Sequence, residues 1–209
     1  MNATWYFDFV SPFAYLQLPT MLALRERLAI VPGPIVFGAV LAHHGQLGPA
    51  EIPAKRAFTY RFVQWQAERT GIRLRFPPAH PFNPLAALRL CLAAGAGWEA
   101  VQAIFEHIWR DGNSGSNALE LAAVGAALGI DDVAAAIASS AIKDTLRANT
   151  AAAIADGVFG VPTVRVADAL FWGNDASPML DAFLDDRAWF DSAEQQRLAQ
   201  LPVGMDRAR

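Results

Sequence analysis

Three short stretches hold residue types whose spacing suits chemistry. In "FDFVSPFAY", Phe7 to Tyr15, an aromatic run ends at Ser11-Pro12. Serine is a favoured helix N-cap and proline a favoured first helical residue, so the pair marks a helix start. A hydroxyl has one donor and two acceptor lone pairs. Ser11 can therefore accept an N–H of its own helix and still donate outward. A helix N-terminus also favours an anion, so Ser11 is suited to holding a thiolate that a ligand brings. In "GVFGVPT", Gly157 to Thr163, a proline opens a strand. It reads either as a plain turn into an edge strand or as a cis Val161-Pro162 peptide that leaves the Val161 backbone free to pair with a peptide-like ligand. In "FWGNDASP", Phe171 to Pro178, Gly173 allows a tight turn and Asn174, Asp175 and Ser177 crowd the start of a helix. They read either as capping residues or, for Asp175 and the nearby N–H groups, as a seat for an ionised, amino-acid-like group.

Other chemistries are excluded by composition. The chain has 209 residues, one cysteine (Cys91) and a net charge of −3. A single thiol cannot form a Cys-x-x-Cys redox pair or the usual cysteine zinc site. The histidines His43, His44, His80 and His107 match no metal-ligand spacing, so no metal is expected. No Lys/Arg track suggests nucleic acid, and no 18-residue apolar run suggests a membrane span. A soluble protein of the reducing cytoplasm is expected. Cys91 lies in the apolar run "LRLCLAAG" and reads as core.

The elements that must position these residues follow from periodicity. Thr4 to Phe9 reads as a strand, and Pro12 to about Leu28 as a helix. A second strand is expected near Ile35–Phe37, after Pro32-Gly33-Pro34, and a loop over 42–53. Residues 54–71 read as a helix stopped by Gly71, and the proline-rich 72–84 as extended loop. Ala/Leu-rich helices fill 85–154, with breaks at 95–97, 111–117 and 129. A hairpin turning at Ala167-Asp168 follows, then a helix from Ser177-Pro178 over about 179–184. The tail from Arg187 is weakly patterned. The first two strands should pair in parallel through a crossover helix, with the hairpin extending the same sheet. This order is α/β: a thioredoxin-like sheet (1–48 and 156–209) with an all-helical insertion (49–155).

Together "FDFVSPFAY", "GVFGVPT" and "FWGND", in this order, resemble the 2-hydroxychromene-2-carboxylate isomerase family, which is related to kappa-class glutathione transferases. The resemblance runs over roughly residues 4 to 185 and includes "AKRAFTYRFVQWQAERTGIRLRFPPAHPFNPLAALR". It implies a DsbA-like thioredoxin fold in which Ser11-Pro12-Phe13-Ala14 replaces C-x-x-C and glutathione supplies the thiol. It further implies that Ser11 activates the sulfur and that Val161, before Pro162, pairs with the cysteinyl backbone. Trp172, Gly173, Asn174 and Asp175 would line the γ-glutamyl end. The family reaction interconverts 2-hydroxychromene-2-carboxylate and trans-o-hydroxybenzylidenepyruvate, which suits reversible thiol addition to a conjugated enone. Alternatives in the same fold are a transferase that releases a glutathione conjugate and a non-catalytic thiol- or peptide-binding module.

The small aromatic carboxylate substrate calls for a cation; Lys55 and Arg56 read either as that cation or as part of a solvated helix face. Asn83 matches the family's proline-rich segment and is a second pocket candidate, or else a turn residue. Related proteins are often homodimers, so a dimer is a possible assembly. Two positions depart from the family pattern. Ala176 stands where an arginine often follows the Gly-x-Asp, and Arg61 with Val63-Gln64-Trp65 where an aspartate often precedes Arg-Trp.

Overall fold

The computed structural model describes residues 1–205. Its centre is β1 (Asn2–Phe7), where Trp5 and Phe7 are fully buried and stack at 4.6 Å. After α1 (Pro12–Leu24) the chain enters β2 (Ala29–Pro34). It returns much later as β3 (Thr163–Val166) and β4 (Ala169–Trp172). The sheet order is β2-β1-β3-β4, with β2 parallel to β1 and β3 antiparallel to it. The hairpin turns at Ala167-Asp168, with Ala167 at φ 51°. The parallel pair and the hairpin extension both match the expectation from sequence.

The second strand does not. It occupies Ala29–Pro34, earlier than the expected Ile35–Phe37. The prolines expected only to precede the strand lie within it, at the sheet edge. Pro32 and Pro34 share one parity along β2, and Ile35, of the opposite parity, donates its N–H to the Phe7 carbonyl at 3.0 Å. The missing N–H groups therefore face away from the ladder, as an edge strand permits. Between them Gly33 lies against β1. A Cβ there would come within 2.9 Å of Thr4 Cγ2 and 3.0 Å of Tyr6 Cδ1.

Helix α1 is correspondingly shorter than expected. It stops at Leu24 because β2 starts opposite Asn2, leaving residues 25–28 to reverse the chain. Apolar residues cover most of its surface, as a helix buried on several sides requires. Helix α2 (Phe37–His43) forms just past β2, across a stretch read partly as strand and partly as loop. Its first N–H groups find distant acceptors: Val36 donates to Thr150 Oγ1 at 3.1 Å and Phe37 to Asp8 Oδ2 at 2.8 Å.

Helix α3 (Pro53–Thr70) ends at Gly71, which takes the left-handed conformation at φ 69°. Helices α4 (Leu85–Ala93), α5 (Trp98–Phe105), α6 (Ala122–Ala127), α7 (Val133–Ala138) and α8 (Ser140–Ala155) follow. A π-type turn, Glu106–Arg110, prolongs α5. Aromatic rings join these helices to the sheet. Phe105 packs at 4.6 Å from Phe9, and the Trp109 indole N–H donates to the Phe9 carbonyl at 2.8 Å. Helix α9 (Ser177–Asp185) leaves the hairpin, and α10 (Ala193–Ala199) orders part of the tail that reads as weakly patterned. Ser192 caps α10 by accepting the Gln195 N–H at 3.4 Å. Among the described residues no helix is long and apolar enough to cross a membrane.

Candidate functional site

The turn after β1 is built to hold one serine. Asp8 is completely buried, and its carboxylate accepts the N–H groups of Val10 at 3.1 Å and Phe37 at 2.8 Å. Burial pushes its carboxyl up to about 7, against the opposing pull of those backbone N–H groups. The Ser11 N–H donates to the Asp8 carbonyl at 3.0 Å. The Val10 carbonyl meets His80 Nε2 at 2.8 Å. Both sides of the Val10–Ser11 peptide plane are thereby pinned.

Ser11 is 6% exposed and caps α1, its Oγ accepting the Ala14 N–H at 3.3 Å. Pro12 takes the first helical position, and no acidic residue sits in the first turn. The serine O–H donates to no acceptor among the described residues, so it remains available to a ligand. The arrangement is suited to an anion: a helix N-terminus, a free hydroxyl donor and no competing carboxylate in that turn.

The second stretch lies at the same end of the sheet. Because β3 runs antiparallel to β1 with Thr163 opposite Tyr6, Val161 and Pro162 lie where the Ser11 turn emerges. The Val161–Pro162 peptide is cis. The backbone N–H and carbonyl of Val161 make no hydrogen bond among the described residues, whereas the Pro162 carbonyl accepts the Gly173 N–H at 2.8 Å. Trp172 is 55% exposed and closes over Gly160, where a Cβ would come within 2.4 Å of the indole nitrogen. The Phe159 ring lies 5.1 Å from Trp172, edge to face.

The third stretch is stitched to the first by Gln17, a buried polar residue of α1. Its Oε1 accepts the Trp5 indole N–H at 2.8 Å. Its Nε2 donates to the Gly173 carbonyl and to Ser177 Oγ, both at 3.1 Å. Gly173 has φ 88°, a conformation that favours glycine, and a short 3-10 turn, Asn174–Ala176, follows. Asp175 Oδ1 accepts from Gln66 Nε2 of α3 at 3.0 Å. Gln17→Leu is expected to leave the buried Trp5 N–H without an acceptor and to cost about 2 kcal/mol, read from urea unfolding.

The cationic candidates differ from one another. Lys55 is exposed and makes no side-chain hydrogen bond among the described residues. Arg56 is exposed but engaged: Nε donates to the Tyr60 hydroxyl at 3.0 Å and Nη2 to the His80 carbonyl at 2.9 Å. It borders a shallow groove of about 400 Å³ with Glu51 and Tyr60. Ser11 does not line that groove; the link between them runs through His80 to Val10. Asn83 Oδ1 accepts the Leu85 N–H at 3.1 Å, an Asx-type turn just ahead of α4, and makes no hydrogen bond to Ser11 among the described residues.

Cys91 is fully buried, and burial pushes its thiol up to about 12, so it is not a reactive thiol. Among the described residues no group of three or more His, Cys, Asp or Glu side chains is arranged to hold a metal ion.

The sequence reading missed Asp8, Gln17, Tyr60, Gln66 and His80. Asp8 and Gln17 carried a signal, each being a polar residue inside an apolar run. The other three matter only through partners distant in sequence.

A thioredoxin-type sheet, a cis proline beside it and a serine at the head of α1 define a DsbA-like protein without its cysteines. Residues 4–200 match the DSBA-like thioredoxin domain. Within that fold the chain belongs to the 2-hydroxychromene-2-carboxylate isomerase family. It is 33% identical over 189 residues to the 2-hydroxychromene-2-carboxylate isomerase of Pseudomonas putida, covering 87% of this chain and 93% of that one. The isomerase of the same name from Sphingobium xenophagum is 30% identical over 191 residues, covering 87% and 97%. A solved structure of a 2-hydroxychromene-2-carboxylate isomerase superposes with a TM-score of 0.76 at 26% identity, covering 96% of this chain and 97% of that one.

Proposed function

We propose that this chain is a glutathione-dependent isomerase. It would interconvert 2-hydroxychromene-2-carboxylate and trans-o-hydroxybenzylidenepyruvate, or a closely related aromatic enone acid, in a reducing cytoplasm. One observation carries this reading. A serine with a free O–H heads α1 at the sheet end where Val161 leaves its backbone unpaired. The names of the relatives add the substrate class.

The residues present fit glutathione. Val161 offers a backbone donor and acceptor to a cysteinyl residue, as in strand addition. Asn174 and Asp175, beside Gly173 and Trp172, suit the ionised γ-glutamyl end. When bound, glutathione supplies a thiolate able to add reversibly to a conjugated enone.

The protein's own work is electrostatic and orientational. Ser11 donates its O–H toward the sulfur position, and the α1 N-terminus adds a field that favours the anion. Gln17 and the Pro162 carbonyl hold the Gly173 loop in place. Lys55 and Arg56 are the cations proposed for the substrate carboxylate, and Asn83 is proposed as a further substrate-binding residue.

The test is loss of 2-hydroxychromene-2-carboxylate absorbance with and without glutathione, with product analysis. Glutathione-dependent equilibration without a stable conjugate is expected. Net build-up of a conjugate would replace the isomerase reading with that of a transferase. Saturable glutathione binding with no turnover would replace it with a binding module.

A further inference from the structure

His80 lies outside the three stretches that define the site, yet it touches the backbone of the Ser11 turn. Its Nε2 is 2.8 Å from the Val10 carbonyl oxygen. A carbonyl only accepts, so Nε2 carries a hydrogen, and in the neutral ring Nδ1 is then bare. Nδ1 sits 2.7 Å from the Tyr60 hydroxyl, whose single proton also faces the His80 carbonyl at 2.7 Å, and Tyr60 accepts from Arg56 Nε at 3.0 Å. With the ring neutral, the donors run from Arg56 to Tyr60, from Tyr60 to His80 (at Nδ1 or its carbonyl), and from His80 Nε2 to Val10.

The groups facing the imidazole oppose a second proton. Arg56 and Tyr60 face it from α3, the Val10 carbonyl from the Ser11 turn, and the Trp109 ring, at 5.4 Å, from the turn after α5. Phe76 and Phe82 face it from its own loop, at 5.9 and 6.3 Å. The one charged group in this set is the Arg56 cation. Burial, reinforced by Arg56 and opposed by the Val10 hydrogen bond, lowers the His80 pKa below its ordinary value.

We infer that His80 is a positioning residue for Ser11. As a neutral imidazole, held against α3 by Tyr60 and Arg56, it fixes the Val10–Ser11 peptide plane from the 72–84 loop and so aims the α1 N-terminus and the serine hydroxyl. The Ser11 N–H, bonded to the Asp8 carbonyl, fixes the other side of the same plane. Without His80 that plane is held from one side only. The inference deepens the proposed reaction and rests on that reading for its effect on turnover, but its geometric content is independent of glutathione.

The test therefore uses a thiol probe in place of turnover. In the Ser11→Cys protein a thiol occupies the helix N-terminus, and the pH midpoint of its alkylation by iodoacetamide reads the local field. Adding His80→Ala is expected to raise that midpoint by roughly one pH unit. Adding His80→Gln, whose amide N–H reaches the same carbonyl, is expected to leave it near the Ser11→Cys value. An unchanged midpoint with His80→Ala overturns the inference, whatever glutathione does.

A second reading needs no substitution. Nitrogen-15 NMR of the unmodified protein should show His80 as the Nε2–H tautomer, resisting protonation below the ordinary histidine range. An Nδ1–H tautomer, or titration at the ordinary histidine value, overturns it as well. If the wild type equilibrates its substrate, His80→Ala should lower kcat on the order of tenfold with little change in KM for glutathione, and His80→Gln should restore it.

Discussion

Ser11→Ala is expected to lower kcat/KM for glutathione-dependent isomerisation by about 100- to 1,000-fold, the usual cost of removing one preorganised donor from a developing anion. The fold should be nearly unchanged. Among the described residues the hydroxyl makes a single hydrogen bond, accepting from Ala14 at 3.3 Å, and losing such a cap costs about 1 kcal/mol. The α1 N-terminus stays in place, so residual activity should remain above the rate with free glutathione. The pH profile adds a second readout. With the serine removed, the bound thiol should ionise at higher pH, so the alkaline rise of the rate shifts upward. Unchanged kcat and an unchanged profile would mean that the sulfur does not meet Ser11.

The second large effect concerns Asp8 and stability. Its folded carboxyl is raised to about 7, above the ordinary carboxylate value it has when unfolded. Between roughly pH 4 and pH 7 the folded chain therefore holds a proton that the unfolded chain has released. Stability from this group falls as pH rises through that window, by roughly 4 kcal/mol in total. Urea midpoints of the wild type should carry this downward contribution, and Asp8→Asn should remove it. At about pH 5, where the carboxyl is protonated in the fold, Asp8→Ala should cost about 3 kcal/mol. The substitution leaves the Val10 and Phe37 N–H groups without their core acceptor. The same bonds tie α2 to the Ser11 turn, so Asp8→Ala should also weaken any activity that depends on Ser11. Identical pH slopes in wild type and Asp8→Asn would mean that Asp8 is ionised in the fold across this range.

Local signals made part of this molecule legible from its residues. The Ser11-Pro12 helix start, the Gly71 stop and the hairpin turn at Ala167-Asp168 all stand where turn and capping chemistry put them. Elements whose determinants are distant were misread. Pro32 and Pro34 argue against a strand until their outward-facing edge is known. Helix α2 has no side-chain cap of its own because Asp8 and Thr150 serve it from far along the chain. Helix α10 is different: Ser192 with Gln195 three residues on is a local start signal that could have been read.

The site divides in the same way. Ser11, Val161-Pro162 and the 172–175 turn announce themselves through punctuation residues. Gln17, Gln66 and His80 act across 156, 109 and 70 residues of sequence respectively, and single-chain patterning carries no trace of such pairings.

The most direct measurement is calorimetric titration of glutathione into the wild type and the Ser11→Ala protein near neutral pH, repeated in buffers of different ionisation enthalpy to count protons. Saturable binding with proton release is expected for the wild type, because a site at the α1 N-terminus with a serine donor should bind the ionised thiol. Ser11→Ala should bind more weakly and release fewer protons. Absence of binding at millimolar glutathione, or the same affinity and proton count in both proteins, would contradict a thiol-activating role for Ser11.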